Sequence, residues 1–80
     1  MLCRVSPRRV TLLLGELCRE LGFCLSPEHQ ARLAVEPPDD IDAFTDAVIH
    51  AEGLDPRSID LRLRRDVKAR VRRCFAEDEA

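Results

Sequence analysis

Two Ser-Pro pairs, a Pro-Pro pair and two glycines cut this 80-residue chain into four segments. Each segment carries apolar residues at the three-and-four spacing of a helix face. Ser6-Pro7 opens the first. A serine hydroxyl there can accept from an unpaired backbone N–H of the first turn, and proline suits the first helical position because its missing N–H would have no partner. Val10, Leu13, Leu14, Leu17, Cys18 and Leu21 then share one face, with Arg8, Arg9, Glu16, Arg19 and Glu20 on the other. The pattern predicts a core helix of about fifteen residues, ended by Gly22 and sealed by Phe23 folding back against Cys18. Gly15 inside it either permits a close helix crossing or is tolerated at about 1 kcal/mol relative to alanine.

Ser26-Pro27 repeats the start signal, and Pro37-Pro38 limits the second helix to about Ala34, pushing Glu36 toward extended backbone. Its apolar content is Ala31, Leu33 and Ala34. Asp39 or Asp40 caps a third helix with Ile41, Phe44, Val48 and Ile49 on one side, flanked by Ala47 and Ala51 and stopped by Gly53, with Leu54 packing back on Ile49. Asp55-Pro56 or Ser58 starts the fourth. In it Ile59, Leu63, Val67 and Val71 recur every four residues and lead to Cys74 and Phe75, while Arg62, Arg65, Lys68, Arg72 and Arg73 fall opposite.

The fold expected is all-α: a small single-domain bundle of four helices, two long and two short, with no sheet. Residues 1–80 form one domain, with an ordered core over about 6–75 and frayed ends at 1–5 and 76–80. The tight connections imply that helices adjacent in sequence pack together, with the first and fourth as the main pair. A chain of this size buries only a little over 60% of its unfolded surface. Self-association or a partner covering more apolar surface would therefore add to a modest stability.

The net charge of −2 conceals a segregation. Residues 28–55 hold eight acids against Arg32, a net −7, and residues 56–75 hold eight bases against Asp60 and Asp66, a net +6. The two segments either neutralise each other within the fold or form a bipolar surface that orients a charged partner.

The four cysteines, Cys3, Cys18, Cys24 and Cys74, make no CxxC pair, so no metal site is expected. Cys18 and Cys74 fall on apolar helix faces, where a thiol acts as a small hydrophobe. The expectation is reduced cysteines and a cytoplasmic protein. Arg8-Arg9 before an apolar run has the outline of a twin-arginine export signal, but Glu16, Arg19 and Glu20 interrupt the run too early. No stretch is long enough to span a bilayer, and no membrane role is expected.

Enzyme chemistry needs a nucleophile with a base, or paired carboxylates in a cleft. Ser6, Ser26 and Ser58 are all better read as helix caps. Ser58 follows Gly53-Leu54-Asp55-Pro56-Arg57, a loose likeness to the attachment site of carrier proteins, yet no aspartate directly precedes it and only twenty-two residues follow. No catalytic residue and no cofactor are therefore assigned.

Nucleic acid is a candidate ligand for the basic helix, whose five outward bases could follow a phosphate backbone. Against it stand the acidic segment, the absence of Tyr and Trp for base stacking, and the acidic residue, Glu28, that a helix-turn-helix reading would aim at DNA. The preferred reading is a small non-catalytic protein-interaction module, an adaptor or regulatory subunit that binds an acidic protein surface or a second copy of itself. Leu12 and Leu61 break their helices' patterns by lying among charges, and an apolar anchor ringed by arginines is how many interface hot spots are built. The interface residues expected are Leu61, Arg62, Arg65, Lys68, Arg72 and Arg73, with Leu12 as a second anchor.

Overall fold

The computed structural model describes residues 6–79. Four α-helices account for the architecture: α1 (Pro7–Leu21), α2 (Pro27–Val35), α3 (Ile41–Ala51) and α4 (Leu61–Glu79). The first three begin where their capping signals put them. Ser6 Oγ accepts from Arg9 N, Ser26 Oγ from His29 N and Asp40 Oδ2 from Ala43 N. Gly22 (φ 75°) and Gly53 (φ 86°) end α1 and α3 in the left-handed region that only glycine enters freely. Beyond Gly53, Leu54 N donates to Ile49 O. Gly15 faces no neighbouring helix: a methyl group there would meet only the Arg19 side chain of its own helix, so this glycine is tolerated rather than required.

The fourth helix departs from expectation at both ends. Ser58 is not its cap. Asp55 instead closes a separate turn, its Oδ1 accepting from Arg57 N and its carbonyl from Ser58 N and Ile59 N. Asp60 then caps α4, with Oδ1 accepting from Arg62 N at 2.8 Å. At the other end α4 continues past Phe75 through Glu79, because alanine and glutamate favour helix and neither glycine nor proline intervenes. Residues 1–5, also expected to fray, lie outside the described residues.

Val10, Leu13, Leu14 and Leu17 of α1, Phe44, Val48 and Ile49 of α3, and Val67, Val71, Cys74 and Phe75 of α4 form one core, joined by Phe23, Leu25 and Leu33. Phe44 and Phe75 meet edge to face with ring centroids 5.9 Å apart. Buried Thr45 satisfies its hydroxyl by donating to Ile41 O at 2.8 Å. The most extensively packed helix pair is α3 with α4, and not α1 with α4, because α1 divides its apolar face between α2 and α4.

The cysteine expectation is overturned. Cys18 and Cys24 are joined in a disulfide. Gly22 reverses the chain after α1, and the reversal brings the Cα atoms of two cysteines six positions apart in sequence to within 4.3 Å. Cys74 is buried, as its place on the apolar stripe implies, and its Sγ donates to Arg9 O at 3.7 Å. Cys3 lies outside the described residues.

Candidate interaction surface on the C-terminal helix

Two sets of ion pairs fix α4 between its neighbours. Toward α3, Arg64 Nη2 lies 3.0 Å from Asp46 Oδ1 and 3.6 Å from Asp42 Oδ1, and Lys68 Nζ lies 2.7 Å from Asp42 Oδ1. Toward α1, Arg70 donates from Nε and Nη2 to Glu20 Oε1 at 3.2 and 2.8 Å, and Arg73 pairs with Glu16. From Arg64 to Lys68 the partner steps back from Asp46 to Asp42, and from Arg70 to Arg73 it steps back from Glu20 to Glu16, so α4 runs antiparallel to both α3 and α1. The hydrogen bond from Lys68 to Asp42, reinforced by the positive charges of Lys68 and Arg64, holds the Asp42 carboxyl below the usual carboxylate range.

Half of the basic segment is thereby neutralised inside the fold: Arg64, Lys68, Arg70 and Arg73. Arg62, Arg65 and Arg72 are exposed and make no ion pair among the described residues. With α3 on one flank of α4 and α1 on the other, the outward stripe belongs to these three arginines and to Leu61, which is 77% exposed.

The predicted interface residues therefore separate into two places. Leu61, Arg65, Lys68 and Arg72, together with Arg64, line one shallow groove along α4. Within it Lys68 contributes its aliphatic stem, because its ammonium is held by Asp42. Arg62 sits on the same outward side. Leu12 (61% exposed) and Arg73 lie instead in a second groove between α1 and α4, with Arg9, Glu16, Arg19 and Arg70. The sequence pattern grouped Arg73 with the outward face, but its angular position is nearer the α1 flank, where Glu16 takes its charge.

Two further features escaped the sequence reading. Arg64, not singled out, bridges Asp42 and Asp46, and its fourfold spacing from Lys68 was the available signal. His29 and Arg32 of α2 face Ala47, His50 and Ala51 of α3 across another groove, a juxtaposition set by tertiary packing alone.

No helix among the described residues is long and apolar enough to cross a membrane. Comparison with protein families, with curated proteins and with solved structures finds no match to this chain.

Proposed function

We propose that the chain is a small, non-catalytic interaction module that docks an acidic protein on the outward face of α4. Leu61 is the apolar anchor, and Arg62, Arg65 and Arg72 form its cationic rim. The observation that carries this reading is the exposed Leu61 in a groove beside Arg65 and Arg72, which have no carboxylate partner among the described residues. Guanidinium groups suit bidentate contact with carboxylates, and an anchor-and-rim arrangement concentrates binding free energy. The competing nucleic-acid reading loses support because the bases at 64, 68, 70 and 73 are already paired.

A cytoplasmic setting belongs to this proposal only if the Cys18–Cys24 bond opens and closes there, since persistent disulfides belong to oxidising compartments.

The test places a photo-crosslinking residue at position 61 and, separately, at position 12, in lysate from the protein's source. An acidic protein captured from position 61 and not from 12, surviving nuclease, and lost with Arg65→Glu in a chain of unchanged helicity supports the module. Capture that nuclease abolishes moves the reading to nucleic acid. Recovery of only a crosslinked dimer identifies the partner as a second copy. Truncating a hot-spot anchor of this kind weakens binding by at least about thirtyfold, so an unchanged affinity of Leu61→Asp for the captured protein would refute the proposal.

A further inference from the structure

The four helices are not held equally. Helix α4 has ion pairs to both α1 and α3. Helix α2 has none to another helix among the described residues; its Glu28, Arg32 and Glu36 are exposed, and its polar contacts are local. Its one buried side chain is Leu33, with Ala34 half-buried beside it, while Ala31 and Val35 face outward. The elbow before it adds Phe23 and Leu25, both buried. Four buried apolar side chains, these three and Pro37, with half-buried Ala34, against the ordering of residues 22–40 leave a small margin for this unit. The covalent link from Cys18 at the end of α1 to Cys24 two residues before Ser26 lies across the hinge on which α2 would move.

From this placement we infer that the Cys18–Cys24 disulfide is a redox latch on α2: its reduction frees α2 and the elbow as one unit, while α1, α3 and α4 stay packed. Cys24 is the exposed member of the pair and the point of entry. A thiolate of a dithiol reductant attacks Cys24 Sγ, the Cys18–Cys24 bond breaks, and Cys18 leaves as a thiolate that takes up a proton. The second thiol of the reductant then attacks the mixed disulfide and expels Cys24, which is protonated in turn. Two electrons and two protons are transferred, and the reductant ends as its own cyclic disulfide.

The closed ring contains the seven residues 18–24. Closing a ring of this size restrains the open state by about 50-fold in its equilibrium constant, so reduction raises the opening of α2 by about that factor. The bundle survives because its remaining core and the α4 ion pairs do not pass through α2. Opening uncovers Ala47 and Ala51 on the α3 wall of the α2–α3 groove. The latch thus controls access to a surface separate from the outward face of α4, and its test does not depend on what that face binds.

Peptide-resolved hydrogen exchange of the full chain, before and after incubation with dithiothreitol, tests the latch. The expected result is exchange accelerated by up to about 50-fold over roughly residues 22–40, little change in α3, α4 and the first three turns of α1, and reversal on reoxidation. The Cys18→Ser/Cys24→Ser double variant should give the same map without reductant. An unchanged map on reduction overturns the proposal, because the glycine turn and apolar contacts would then hold α2 unaided. Acceleration through all four helices, or a double variant that fails to fold, also overturns it by making the bond a staple of the whole domain.

Discussion

Arg70 and Arg72 sit two residues apart on α4, so replacing either with alanine removes the same charge from the same helix and leaves helix propensity nearly unchanged. Their surroundings make the outcomes differ. Arg70 donates twice to Glu20, once to Asp66 O at 3.2 Å, and places Nε 3.4 Å from Glu16 Oε2; its side chain is 23% exposed. An exposed pair is worth about 0.2–1 kcal/mol. Two acids on one guanidinium, with a stem packed between helices, raise the expected cost of Arg70→Ala to about 1–1.5 kcal/mol. For a domain of this size that lowers Tm by about 4–12 °C. Arg72 is exposed and has no carboxylate partner among the described residues, so Arg72→Ala should stay within about 0.5 kcal/mol of the parent. Thermal unfolding followed by circular dichroism at 222 nm measures both. In about 1 M salt, where the screening length falls to about 3 Å, the Arg70 deficit should shrink toward its packing part. Equal Tm losses for the two variants would refute the division of α4 into paired flanks and a free face.

Two further outcomes follow from the same contacts. Because Asp42 has its folded pKa lowered, chiefly by the hydrogen bond from Lys68, it favours the folded state above its unfolded value near about 3.9 and loses that contribution as pH falls through the lower folded value. Urea midpoints of wild type and Asp42→Asn should therefore differ at pH 7 and converge below about pH 4; a constant gap would refute the linkage. Asp60→Ala should cost about 1 kcal/mol by removing the α4 cap, while Ser58→Ala stays within about 0.5 kcal/mol, again read from urea midpoints.

That last pair marks where local signals stop sufficing. Ser6, Ser26 and Asp40 are followed by chain that has no rival structure, so each side chain caps the helix its spacing announces. At residues 55–60 two acidic residues compete. Asp55-Pro56 resembles a helix start, but its hydrogen bonds close an isolated turn, and Ile59 joins the core from outside the helix. The disulfide was hidden for another reason: residues six apart are remote on a continuing helix and adjacent only once Gly22 has turned the chain back. The sign of the charge segregation was plain in sequence. Which cations would be consumed was not, because that depends on which flanks of α4 are covered.

The coverage also limits what the basic segment can recognise. Read linearly, residues 62–73 hold seven bases and resemble a single cationic patch. The helix period divides them: 64 and 68 fall on the α3 side, 70 and 73 on the α1 side, and 62, 65 and 72 outward. A nucleic acid following the outward face would meet three arginines that make no ion pair among the described residues, and at about 0.9 counterions released per phosphate of duplex DNA the salt slope would not exceed about 3 in magnitude. That is a weak electrostatic grip for a ligand held by charge alone. The proposed acidic partner would ask less of these charges: three arginines around one exposed leucine would only have to orient it, with apolar contact supplying the affinity.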